Sequence, residues 1–247
     1  MMRLRCLLML VVAGGSLAAM PATGEPPVER AACSHEGLHF KRCNLANADF
    51  SGATLSNAVF HRADLTGAHF VGADLSGANL NKTKAQRADF TGAKMDEVLF
   101  YESDGSRATF ADAHLQGAKM QGARLIGATL DRAEVKAAFL TGVRLDGASM
   151  VGADLSETNL VGAVLSKANL EGANFARAGL VDARIRDANL RNANLAGADL
   201  YNADLTGSDL TGANLAGARL TRAKLTGAIL VDTNLQGALM PDGSIHE

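Results

Sequence analysis

The chain lacks an excess of either charge. Lys and Arg number 24 and Asp and Glu 26, a formal net charge of −2 over 247 residues. That near balance excludes the dense cationic surface of a nucleic-acid binder. After the first 24 residues there is no long apolar run, so no later stretch reads as a membrane-crossing helix. The three cysteines include no C-x-x-C pair, so zinc-ribbon and dithiol motifs are excluded. No Ser–His–Asp or Cys–His grouping stands at a workable spacing, and no glycine-rich phosphate loop follows a long strand. No linker, charge block or composition shift divides residues 38–240, which read as one domain.

What is present is a period of five. From Phe40 to Met240, 41 consecutive positions at five-residue steps hold 25 Leu, eight Phe, four Met, one Ile and one Val, with Ala85 and Gly105 as the exceptions. The residue two places earlier is Ala in 32 of the 41 units. A helix cannot use this pattern: at about 100° per residue, five residues advance by about 500°, and the leucines would wind round the cylinder. A continuous strand cannot use it either, because an odd step alternates the faces. A strand of about three residues followed by a turn can, with residues i−2 and i pointing inward and the residue between them outward. Glycine recurs at i+2 (Gly52, Gly67, Gly72, Gly77, Gly92, Gly117, Gly122), where a corner calls for a permissive backbone.

Units such as ANLAG, ADLTG and ANLRN between Ala188 and Gly237 resemble the loose A(D/N)LXX motif of the pentapeptide-repeat family, and the resemblance covers residues 38–240. It implies an all-β fold, a right-handed quadrilateral parallel β-helix with four units, or 20 residues, per coil. About ten coils at a strand spacing of ~4.8 Å give a rod roughly 48 Å long.

Folded into columns of 20, the sequence places Phe50, Phe70, Phe90 and Phe110 on one wall and Phe40, Phe60 and Phe100 on the opposite one. Ala85 and Gly105 share a column on adjacent coils, beside Phe90, Phe100 and Phe110. Either large rings fill the space left by the small residues, or a small cavity or bulge forms there. Inward Thr83, Ser103, Thr158, Ser208 and Thr233 read as Ala substitutes whose hydroxyls bond to local backbone. Outward Asn174, Asn194, Asn214 and Asn234 form an expected amide ladder, and Asp64, Lys84, Asp104 and Arg124 a column alternating in sign.

Residues 1–22 differ from the rest. Arg3 and Arg5 precede an apolar run from Cys6 to Ala13, and small residues follow at Ser16, Ala18, Ala19 and Ala22. That order predicts a secretory signal peptide, the alternative being an uncleaved, buried N-terminal segment. Removing it leaves 22 basic against 26 acidic residues. Cys33 lies too far downstream of the apolar core to carry a lipid anchor. Residues 23–37 read as a tail and cap. The two cysteines left after export, Cys33 and Cys43, form an even pair whose disulfide would tie the lead-in to the first coil, worth about 2–3 kcal/mol for so short a loop; the alternative is two thiols, with Cys43 standing in for an inward Ala. The repeat ends at Met240. Residues 241–247, PDGSIHE, form a short tail opened by Pro241, which cannot continue a ladder. Some members of the family end in a helix that pairs two subunits, and this tail is too short for one. The last coil is left with an edge to be covered by the tail or by end-to-end contact.

No catalytic residue and no cofactor is expected. Asp49, His69 and Asp89 share an outward column on three coils, roughly 5 Å apart. They are a weak metal candidate, weighed against a plain surface ladder with the imidazole between two acids. The stronger surface feature is apolar: Val59, Leu99, Tyr101, Phe139, Val161, Val181 and Tyr201 cluster around the column of Phe40, and Phe139 is the only phenylalanine outside the inward register. Clustered exposed apolar residues suggest a contact face. The expected function is a non-catalytic structural or protein-interaction module of an exported compartment. Its partner would be an unknown protein or a second copy, bound through this face or the coil ends, with no nucleic acid and no membrane insertion after signal cleavage. The expected address is the periplasm, with secretion or the thylakoid lumen as alternatives. The resemblance also raises a DNA mimic acting on DNA gyrase. The export signal and near-neutral charge disfavour that reading.

Overall fold

A computed structural model describes residues 38–247. The predicted signal peptide, the tail before residue 38 and Cys33 lie outside the described residues. From His39 to Leu239 the chain makes 37 parallel bridges, every one between residues 20 apart. A step of 20 over a unit of five means four walls per coil. The result is a right-handed parallel β-helix of square section.

One unit shows how the backbone closes. Leu55 N–H donates to the carbonyl of Asp74 on the next coil (2.7 Å), Asn57 N–H to that of Ser76 (2.8 Å), and Asp74 N–H back to that of Ala53 (2.9 Å). Between walls, Ala58 N–H donates to Leu55 C=O (2.9 Å) across the corner. The third residue of that turn has positive φ, as in a type II turn. All 40 such corner residues from Arg42 to Gly237 have φ between +51° and +73°. Glycine fills only 19 of them, fewer than its recurrence in the sequence suggests. The other 21 are Arg, Lys, Asp, Glu, Asn and a single Ala. Each non-glycine corner costs about 1–2 kcal/mol of local strain, which the ladder bonds on both sides of the corner offset.

This scheme leaves one backbone N–H per unit, that of the first corner residue, without a backbone acceptor. The outward Asp or Asn of the motif supplies one. Asp74 Oδ1 accepts from Ser76 N–H at 3.0 Å, Asp209 from Thr211 at 2.9 Å, and Asn194 from Ala196 at 3.2 Å. Where the unit lacks that residue, a corner side chain one coil earlier substitutes: Tyr101 N–H donates to Asn81 Oδ1 (2.9 Å) and Val151 N–H to Asp131 Oδ1 (2.9 Å). A polar group that would otherwise depend on water is satisfied within the fold.

The axis is filled. Leu195, Leu200 and Leu205 are fully buried, and their counterparts from Phe40 to Leu220 are buried as well. Phe50, Phe70, Phe90 and Phe110 stack with centroids 4.9–5.1 Å apart, and Phe40 stacks on Phe60 at 4.8 Å. The two walls meet edge to face, for example Phe60 against Phe70 at 5.8 Å. No cavity opens at Gly105: a Cβ there would lie 2.9 Å from Leu125 Cδ2 and 3.4 Å from Phe100 Cζ. The inward hydroxyls bond to backbone, Thr83 to Leu80 C=O (2.8 Å), Thr158 to Leu155 C=O (2.6 Å) and Thr233 to Leu210 C=O (2.8 Å). Ser208 does the same with Ile185 C=O.

Candidate functional surfaces

With a filled axis, chemistry is confined to walls, corners and ends. The amide ladder forms as expected: Asn194 donates to Asn174 (2.9 Å), Asn214 to Asn194 (3.3 Å) and Asn234 to Asn214 (3.1 Å), and Asn174 extends it to Asp154 (2.9 Å). In the alternating column only Arg124 and Asp104 approach as an ion pair, at 3.8 Å.

Asp49, His69 and Asp89 do bridge successive coils. Their carboxylates, however, serve the corners. Asp49 Oδ1 accepts from Ser51 N–H (2.9 Å), and Asp89 Oδ1 from Thr91 N–H (2.9 Å) and Oγ1 (2.6 Å). The bonds from Ser51 are the main cause holding the Asp49 carboxyl below its ordinary pKa, with His69 adding a smaller electrostatic pull. Among the described residues no group of three His, Cys, Asp or Glu side chains is placed to hold a metal ion.

The apolar face is less continuous than its residue numbers suggest. The 20-residue step puts Asn79 between Val59 and Leu99, and Lys119 between Leu99 and Phe139. Of the seven residues only Phe139 is exposed, at 43 %; Val59, Leu99, Tyr101, Val161, Val181 and Tyr201 are half-buried. Tyr201 is covered by the Arg219 guanidinium, 4.5 Å from its ring centre, with Arg222 at 5.7 Å. That cation–π stack occupies the ring itself.

Larger exposed apolar side chains gather at the C-terminal end: Ile229 (47 %), Val231 (55 %) and Ile245 (69 %). The tail folds back and pairs antiparallel, Ile245 with Leu239. Gly237 N–H donates to His246 C=O (2.7 Å), Met240 N–H to Ser244 C=O (2.7 Å) and His246 N–H to Ala238 C=O (2.9 Å). This caps one wall. On the other three walls the N–H groups of Leu225, Gly227, Leu230, Asp232 and Leu235 have no backbone acceptor among the described residues, and Leu225, Leu230, Leu235 and Met240 are only partly buried. Met240, Pro241, Asp242 and Ser244–Glu247 line a shallow recess at this end. The position of the last coil in the count held the signal for this edge; the tail's antiparallel pairing had none.

These features define a class first, a solenoid built from tandem five-residue units. Comparison with family models matches the description "Pentapeptide repeats" in eight copies, over residues 43–82, 86–122, 108–147, 138–177, 148–187, 178–217 and 205–240. The chain belongs to the pentapeptide-repeat family. Among solved structures it is similar to HetL from the cyanobacterium Nostoc, a pentapeptide repeat protein involved in heterocyst differentiation regulation, at 32 % identity over 87 % of this chain and 94 % of that one, with a TM-score of 0.51. A pentapeptide repeat protein from the cyanobacterium Cyanothece is 38 % identical over 35 % of this chain and 58 % of that one, TM-score 0.35. One from the Arabidopsis thaliana thylakoid lumen is 34 % identical over 39 % of this chain and 63 % of that one, TM-score 0.32. No curated protein sequence matches significantly.

Proposed function

We propose that the protein is a non-catalytic interaction module of an exported compartment, a rigid rod that works through its outer surface. The observation that carries this reading is the filled axis from Phe40 to Leu220: no substrate can enter it, and the outward aspartates accept corner hydrogen bonds. Export rests on residues 1–22, with the periplasm as the favoured address. In that oxidising setting Cys33 and Cys43 join as a disulfide, anchoring the lead-in to the buried Cys43 of the first coil. Contact with another polypeptide falls to Phe139 on its wall and to the C-terminal edge around Val231, where an added strand would meet five open N–H groups. A second copy stacked end to end is one such strand donor.

The test places a photocrosslinking residue at position 139 or 231 of the full chain expressed in a Gram-negative host. The expected result is a processed protein in the periplasmic fraction that crosslinks to another polypeptide at one or both positions, a product of twice the mass marking self-association. Protein retained in the cytosol with residues 1–22 attached would remove the exported address. Absence of any adduct at both positions would remove the interaction surfaces.

A further inference from the structure

The first three coils carry a corner unlike any other on the rod. Its column holds Lys41, Arg42, His61, Arg62 and Lys82 in succession, with no acid among them. The ladder stacks them directly: Arg42 N–H donates to His61 C=O (3.0 Å) and Arg62 N–H to Asn81 C=O (2.9 Å). Lys41, Arg42, Arg62 and Lys82 are exposed and His61 half-buried. Among the described residues Lys41, Arg42 and Arg62 make no ion pair, whereas further along the rod Arg132, Arg177 and Arg219 pair with Asp112, Glu157 and Asp199. Among the described residues two acids close by in the fold are engaged elsewhere: Asp64 accepts from Thr66 N–H (3.0 Å) and Oγ1 (2.6 Å), and Glu102 pairs with Lys82 at 3.2 Å, at the far end of the column. The cluster is felt by its own members. Partial desolvation and then Arg62, Lys41, Lys82 and Arg42 hold the His61 imidazole below its ordinary pKa. Arg42, Arg62 and Lys82 also sit at φ of 58–59°, where glycine would be unstrained, so the charge is maintained against a local cost.

We propose that this corner holds the rod against an anionic phospholipid surface, by charge and without insertion. One observation selects a bilayer over other polyanions. The cations lie along one straight edge, rising coil by coil, a shape that meets a flat surface side-on. Each Lys or Arg near an anionic leaflet strengthens binding about five-fold at physiological salt, and the effect falls off within a Debye length. Three unpaired cations acting together therefore supply about 100-fold.

The experiment is co-sedimentation of the full chain with vesicles of phosphatidylcholine alone or with about 30 % phosphatidylglycerol, at low and high salt. Two triple variants accompany it: Lys41→Glu/Arg42→Glu/Arg62→Glu, and the control Arg107→Glu/Lys167→Glu/Arg184→Glu, which changes net charge equally on other columns. The apolar N-terminal run is common to all three proteins and cancels. Wild type and control are expected to favour anionic vesicles by about 100-fold at low salt, the preference collapsing at high salt, while the corner variant shows none. An equal preference in the corner variant, or an equal loss in the control, would overturn the proposal. So would a wild type that ignores anionic vesicles yet is retained on an immobilised soluble polyanion. Circular dichroism of both variants checks that the β-helix is intact.

Discussion

The two halves of the rod share one backbone and fill it differently. From Phe40 to Phe110 the axis is occupied by stacked and edge-to-face rings; beyond Phe110, Phe175 is the only inward aromatic and leucine does the work. The ladder does not register the change. Leu55 to Asp74 in the aromatic half and Leu195 to Asn214 in the aliphatic half are both 2.7 Å bonds. Hydrogen bonding sets the spacing of the coils, and the core adapts to it. Rings suit that spacing because 4.8–5.1 Å is close to a natural stacking distance.

The sharpest way to test that comparison is to empty each half in turn. Phe90→Ala removes a ring held between two others and is expected to cost about 3–5 kcal/mol, against about 2–5 kcal/mol for Leu200→Ala. Urea unfolding followed by circular dichroism, with hydrogen exchange to locate the damage, reads both; equal losses would mean that stacking adds nothing beyond volume. Next comes Gly105→Leu, which drives a side chain into space already taken by Phe100 and Leu125 and is expected to cost about 1–3 kcal/mol. Adding Phe100→Leu to that variant should recover part of the loss, and no recovery would break the volume-compensation account.

Corners give a smaller effect, common to both halves. Gly142 has φ of +66° and nothing within 4 Å of an added Cβ, so Gly142→Ala should cost about 1 kcal/mol through backbone strain alone. Gly67→Ala should cost more, because its Cβ would lie 2.5 Å from Asn47 Oδ1; the melting temperatures of the two variants decide. The smallest effect is acid dependence. Hydrogen bonds from Ser76 hold the Asp74 carboxyl below its ordinary value of 3.8. Its folded-state pKa is depressed, so the stability it contributes is present above the unfolded-state pKa and is lost as pH falls through the folded one. Asp74→Asn should therefore flatten the decline in unfolding free energy below about pH 4; a slope identical to wild type would count against the corner bond.

Most of the fold was legible because a single number governs it. A period of five excludes helix and plain strand, and it sends Leu195, Leu200 and Leu205 inward without further information. The closure at four units came from family likeness, and the 20-residue bridges settle it. The surface was less readable for a physical reason. An outward Asp looks the same on paper whether it binds a ligand or caps a corner, and only the orphan N–H of the following turn reveals which. Asp49 and Asp89 were weighed as metal ligands on that account. The apolar wall failed differently: Asn79 and Lys119 stood in the sequence all along, but grouping residues by face hid their alternation coil by coil. Tyr201 looked available until the cation above it was placed. The tail's return along Leu239 depends on a turn at Asp242 and Gly243 that carries no repeat signal.

The unbroken count of five has a consequence for how such a rod can change length. Losing 20 residues removes one storey and leaves every wall facing as before. Losing five keeps the core and the corners but turns everything downstream by a quarter, so the Asn column would end beneath a different wall and Phe139 would point away from its present neighbours. Losing one residue sends the leucines outward. Growth and shrinkage are therefore quantised, and only whole storeys preserve what the outside displays.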